Sequence, residues 1–231
     1  MIPSLRPSQW RRQTNIVLLF STAATGILLM ISFFGQMIGN FTITADMPNR
    51  QLGISLSESP DMTNPTTRLF ADPVEDMFNI TEADLPSNID DIDGSHNGDH
   101  YMAYTYYLGN AGEVALQYSM RLAIEQMKLG VDAAIRVRIY ENGVPSTYAK
   151  LAANGEPEAI APSVNNTPTT PFYSESEIVY RDDKVLQLGQ VNKYTIVLWL
   201  EGWDPECVDD IRSGRLRLSL EYKVIRPIEE L

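Results

Sequence analysis

Between Asp72 and Gly94 stand eight acids, Asp72, Glu75, Asp76, Glu82, Asp84, Asp90, Asp91 and Asp93, with no base among them. A charge run of this kind is by default a solvated loop. Its chemical alternative is calcium, because a hard cation takes several carboxylate and hydroxyl oxygens, and Asp91, Asp93 and Ser95 offer them on alternate residues. Asp99 completes that candidate set. An EF-hand loop would carry Gly at its sixth position and Glu at its twelfth, whereas Gly94 is fourth from Asp91 and Met102 is twelfth. His96 and His100 have the four-residue spacing of H-E-x-x-H metalloproteases, but Asn97-Gly98-Asp99 between them supplies no Glu base and disfavours the helix that would aim both rings at zinc.

A second concentration runs from Glu201 to Asp210. It joins Trp203 and the sole thiol, Cys207, to the acids Glu201, Asp204, Glu206, Asp209 and Asp210. The expected arrangement is a structured surface loop with Trp203 packed over the end of the domain. Neighbouring carboxylates should raise the Cys207 pKa and make it a poor nucleophile. No G-x-S-x-G, P-loop or G-x-G-x-x-G occurs, so the expectation is a protein without enzymatic activity.

These residues must be held by elements whose nature the rest of the chain declares. The 231 residues carry 18 Lys+Arg and 30 Asp+Glu, for a net charge of −12, with 44% hydrophobic and 21% charged residues. That is a globular composition, and its acidity argues against a nucleic-acid partner, since phosphate binding needs clustered Lys and Arg. One Cys and two His exclude a disulfide scaffold and a Cys/His zinc module.

The charge is unevenly spread. Residues 1–39 hold Arg6, Arg11 and Arg12 and no acid, and the stretch from Ile16 to Ile38 is uncharged over 23 residues. As a helix it would span roughly 34 Å, enough for a bilayer. Trp10, Arg11 and Arg12 before it, with Asp46 the first charge after it, place the N-terminus in the cytoplasm by the positive-inside rule. The expected organisation is a cytoplasmic flank over 1–15, a transmembrane anchor or signal peptide over 16–38, and an extracellular domain over 40–231. The run exceeds an ordinary signal h-region and has no A-x-A before Asn40, which favours a retained anchor, with removal by a specialised peptidase as the alternative. Asn40, Asn79 and Asn165 fit the N-x-Thr sequon, which is incidental in a bacterium.

Beyond Asn40 the apolar period is two. Leu216, Leu218, Leu220, Tyr222 and Val224 alternate with Arg215, Arg217, Ser219, Glu221 and Lys223, the mark of a strand with one wet face. The same alternation runs from Leu116 to Ile124, and again through Ile135, Val137 and Ile139 between Arg136 and Arg138. Tyr194 to Leu200 is apolar on both faces and reads as a central strand. Further strands are expected at Phe41 to Ala45, Gln51 to Ser57, Tyr101 to Leu108, Ser146 to Lys150 and Ser176 to Tyr180, with an Asn142-Gly143 hairpin turn. About nine short strands without helical periodicity predict an all-β antiparallel sandwich of jelly-roll type, interrupted by loops at Ala71 to His100 and Ala152 to Pro171.

The hydrophobic segment running into Gly39-Asn40-Phe41-Thr42-Ile43-Thr44-Ala45, followed by Tyr104-Thr105-Tyr106-Tyr107-Leu108-Gly109-Asn110-Ala111-Gly112 and the strand through Tyr118, resembles the TasA and camelysin family of Gram-positive exported surface and biofilm matrix proteins. The resemblance covers Asn40 to Ile124. It implies a jelly roll and a matrix fibre in which Phe41, Thr42, Ile43, Thr44 and Ala45 form a strand donated to a neighbouring subunit. Without H-E-x-x-H the protease label of that family does not carry over. The expected role is a structural or adhesive envelope protein, with the membrane and copies of itself or other envelope proteins as partners. The alternative is a calcium-dependent or carbohydrate-binding module, using the Asp90 to Asp99 loop and the surface around Trp199 and Trp203.

Overall fold

The computed structural model describes residues 37–38, 40–46, 53–75, 77–160, 168–211 and 214–228. Of the helix expected over 16–38, residues 16–36 lie outside them, and its last two residues are not helical. Met37 and Ile38, the last residues of the uncharged run, are strand: β1 (Met37–Ile38) pairs antiparallel with β5 (Val74–Glu75). The chain continues through β2 (Asn40–Asp46), β3 (Ile54–Ser57), β4 (Arg68–Ala71), β6 (Gly94–Ser95), β7 (Tyr101–Asn110) and β8 (Ala115–Lys128). Its second half holds β9 (Ile135–Glu141), β10 (Val144–Ala149), β11 (Thr170–Pro171), β12 (Glu177–Leu186), β13 (Val191–Leu200) and β14 (Arg215–Ile228). Every expected strand has its counterpart among these. Gln51 and Leu52 lie outside the described residues, and β12 runs past the expected end at Tyr180.

The strands form two main sheets. One has the order β11-β10-β9-β13-β7-β3, with β6 also on β7, and the other the order β12-β8-β14-β2-β4. Most pairings are antiparallel, but β10 with β11 and β14 with β2 are parallel, so both sheets are mixed. The fold is all-β, and β13 lies between β9 and β7 as its two apolar faces require.

Alternation along the strands fills the space between the sheets. Met102, Tyr104, Tyr106 and Leu108 of β7 share one buried cluster with Leu116, Tyr118, Met120 and Leu122 of β8 and Leu216, Leu218, Leu220 and Tyr222 of β14. Aromatic residues dominate its centre. Tyr106 and Tyr222 share a hydroxyl hydrogen bond of 2.6 Å, Tyr118 and Tyr194 one of 2.9 Å, and Tyr194 Oη donates to Glu141 at 2.9 Å. Burial pushes the Tyr106 and Tyr222 phenols well above their ordinary range. Tyr222→Phe leaves Tyr106 a buried hydroxyl without its partner, and we expect a loss of about 1–3 kcal/mol in urea unfolding.

The hairpin between β9 and β10 shows how local chemistry sets register. Glu141 pairs with Val144 across two residues, Asn142 at φ 51° and Gly143 at φ 83°, the left-handed pair of a type I′ turn. Gly143→Val places a β-branched residue in that conformation and is expected to cost about 1–2 kcal/mol, read from the thermal midpoint.

The stretch from Met77 to His100 is a cover rather than a freely solvated loop. Ile89 packs with Ala103, Val197 and Trp199 in a second cluster, with Ile80, Leu85, Tyr101 and Tyr140 around it. These residues belong to the opposite set along β7 and β13 from the central core, so the segment closes the outer face of the first sheet.

Candidate functional site

The segment singled out as an assembly strand occupies an interior slot. β2 pairs parallel with β14, from Asn40 opposite Arg217 to Asp46 opposite Lys223, and antiparallel with β4, from Phe41 opposite Ala71 to Thr44 opposite Arg68. Phe41, Ile43 and Ala45 are buried in the central cluster, while Thr42 and Thr44 are half-buried on the other face. The alternation of Phe, Ile and Ala with Thr is what places three apolar side chains inward from five residues. Without β2, β4 would lose its partner and β14 would keep only β8, and the core would open between β14 and β4.

The acid run meets the positive residues of the first sheet. Glu82 pairs with Arg138, Asp90 with Lys193 at 3.6 Å, and Asp93 accepts from Tyr107 Oη at 2.6 Å. Arg138 also lies over the Trp199 ring, 5.3 Å from its centroid. Asp91, Asp93, Ser95 and Asp99 are exposed. Among the described residues no three carboxylate, His or Cys ligands come together around them. His96 has both ring nitrogens 2.9 Å from backbone carbonyls, those of Gly94 and Ile89, and His100 stands edge-on to Phe78 at 5.3 Å. The two rings therefore fasten the cover segment.

Alternation predicts Arg136 and Arg138 on a wet face, and the structure buries both, to 1% and 8% exposure. Arg136 donates to Asp204 Oδ2 at 2.7 Å and to the Ala159 carbonyl at 3.2 Å, with Glu158 3.6 Å away. Periodicity cannot see this, because its counter-charges come from loops far along the chain. The carboxylates of Glu158, Asp204 and Glu206 offer oxygens within 4.8 Å of one another. Sequence reading flagged Asp204 and Glu206 but missed Glu158 and Arg136.

Three carboxylates facing one guanidinium cannot all be cheaply ionised. Burial, followed by the Glu206 side chain, pushes the Asp204 carboxyl up to about 6, and the hydrogen bond from Asp204 holds Glu206 below its ordinary value. The pair behaves as one shared proton. Because Asp204 titrates higher folded than unfolded, its contribution is present below its usual value near 3.8 and is lost as pH rises through about 6. Relative to Asp204→Asn, the wild type is expected to lose stability between about pH 4 and about pH 7, measured by urea midpoints. An advantage that grows over that window would mean that Arg136 keeps Asp204 ionised.

The same loop presents Trp203, which is 63% exposed and does not pack over the domain end as its sequence suggests. It is Trp199 that is buried, donating to Glu201 Oε2 at 2.9 Å. Glu201 also accepts from the Trp203 backbone N–H, which fixes the loop while leaving the indole outside. Asp209 and Asp210 sit exposed on a single 3-10 turn, Asp209–Ile211. Burial, then Asp204 and Glu201, raises the Cys207 pKa, as the acidic surroundings imply. Trp203→Ala is expected to shift stability by less than about 0.5 kcal/mol in thermal unfolding.

No protein-family model and no curated protein matches the chain. What the geometry offers is an interior strand contributed by the segment right after the uncharged run, a charge-locked cover, and an exposed indole beside an acidic cluster.

Proposed function

We propose that the protein is a structural or adhesive surface component of a Gram-positive cell envelope, of the TasA and camelysin kind, with β2 as its assembly strand. The observation that carries this reading is the position of β2. A strand directly following an apolar, uncharged run fills the slot between β14 and β4, with Phe41 and Ile43 fully buried. A strand held by backbone ladders and alternate side chains can be supplied by a second copy without changing any contact in the sheet. The reading is non-enzymatic and needs no cofactor.

Processing decides how β2 is used. Mass and N-terminal sequencing of the native protein from its host would test this directly. A mature end between Gly35 and Phe41 frees the strand for a neighbour and supports a fibre, whereas an intact Arg11-Arg12 end makes a tethered surface domain and ends the donation reading. The exposed Trp203 beside Glu158, Asp204 and Glu206 favours a second reading, a calcium-dependent or carbohydrate-binding extracellular module. A thermal midpoint that rises with added calcium would support it, and a midpoint indifferent to calcium removes the metal-dependent form.

A further inference from the structure

The two sheets do not close along the side where β10 faces β12. Between them lies a cavity of about 390 Å³, within the usual size range of small-molecule sites. Its apolar wall is made of the buried Met120, Ile139, Tyr148 and Val179, drawn from both sheets, with the exposed Val144 beside them. Its polar wall is Glu141, Asn142, Ser146 and Arg181, of which Glu141 and Arg181 are charged.

The two charged groups differ in what they have left to give. Glu141 is already neutralised: Lys184 Nζ donates to it at 2.6 Å, Tyr194 Oη donates at 2.9 Å, and Arg181 Nη1 stands 3.5 Å away. Arg181 is not saturated. One of its N–H groups donates to Tyr148 Oη, and its contact with Glu141 is too long for a strong hydrogen bond, so the guanidinium keeps donors for a further acceptor. Lys184, which stands outside the cavity wall, neutralises Glu141 and so leaves the Arg181 guanidinium as the cation lining the cavity. Asp182 and Asp183 do not line the cavity; they line a groove along β12 that Arg181 and Lys184 line as well.

We propose that this cavity binds a small monocarboxylate with an aliphatic or aromatic tail. The carboxylate pairs with Arg181 at the mouth, and the tail lies against Met120, Ile139, Tyr148 and Val179. A cationic head would meet Arg181 with Glu141 already spent, and an uncharged tail alone would leave the guanidinium unused. The site is separate from β2 and from the Arg136 cluster, so its occupancy stands or falls apart from the assembly reading.

Calorimetric titration of the full chain with 4-phenylbutyrate, 4-phenylbutanol and 4-phenylbutylamine tests it, since the three probes share a tail and differ only in the head. The expected result is saturable binding of the carboxylate, about tenfold weaker binding of the alcohol and weaker still of the amine. Arg181→Gln should weaken the carboxylate about tenfold, to the level of the alcohol, with the alcohol unaffected, while Val179→Trp, which fills the cavity, should weaken both. Equal binding of the three probes, no saturable binding, or wild-type affinity in Arg181→Gln would overturn the proposal. If Arg181→Gln lowers the thermal midpoint, the head-group preference of the wild type and its loss of binding in Val179→Trp still decide the matter.

Discussion

Ile43→Asp is expected to abolish the folded domain. The residue is fully buried in β2, opposite Leu220 on one side and Leu69 on the other. The substitution removes a large apolar side chain from the core and sets a carboxylate there with no cation to pair it. Each change alone costs several kcal/mol, and together they exceed about 5 kcal/mol, comparable with the whole stability of a typical domain. Circular dichroism during urea titration reads the outcome, and Thr42→Asp on the half-buried face serves as control. If β2 is an interchangeable strand, a synthetic peptide of Asn40 to Asp46 added to the Ile43→Asp protein should restore the unfolding transition, because it carries the same ladder and the same alternate side chains. A variant that unfolds like the wild type without peptide would mean that β2 is dispensable.

The second large effect is expected at Arg136. Arg136→Met keeps much of the side-chain volume but leaves Asp204, itself buried, without its cation, and unpairing a buried ion pair in this way costs about 3–5 kcal/mol. The double variant Arg136→Met with Asp204→Leu should recover most of that loss, since two apolar groups need no mutual neutralisation. A double variant no better than the single one would show that the loss comes from the Ala159 carbonyl and Glu158 contacts instead.

Much of the sandwich was legible because period-two alternation reports burial wherever one face is wet. β14 follows it from Leu216 to Val224 and β8 keeps it in part, with Gln117 and Arg121 half-buried between buried neighbours, whereas β13 was legible as a run apolar on both faces. The β9–β10 turn was equally legible, because few residues other than Asn and Gly accept its backbone angles. β4 was not legible: four residues, Arg68–Ala71, with Leu69 half-buried between the exposed Arg68 and Phe70, give no run long enough to count. The continuation of β12 through Asp182 and Asp183 was hidden by its acids, which belong to an edge strand with a register shift between Arg181 and Lys184.

The candidate site divided in the same way. Phe41 to Ala45 was readable from local alternation. Arg136 and Arg138 were misread as solvent-facing because their neutralising partners arrive from segments 50 to 70 residues away. One signal pointed there: an acid run without a single base, including Glu82 and Asp90, has its counter-charges elsewhere in the fold. Trp203 differs again. The same Glu201 that receives the Trp199 indole N–H also fixes the Trp203 backbone, and so holds that second indole in solvent.

The most direct test of β2 as an assembly strand uses its register with β14. Thr44 and Glu221 are partners in that parallel pair, and neighbouring strands lie about 4.8 Å apart, within a disulfide's reach; Cys207 is the only native thiol. In a Cys207→Ser background, chains carrying Thr44→Cys alone would be mixed with chains carrying Glu221→Cys alone, allowed to assemble and oxidised. The account predicts a covalent dimer joining one chain of each type, and a ladder of multimers when both substitutions sit on every chain. Cross-links confined within single chains of the doubly substituted protein, with no dimer from the mixture under assembling conditions, would contradict it.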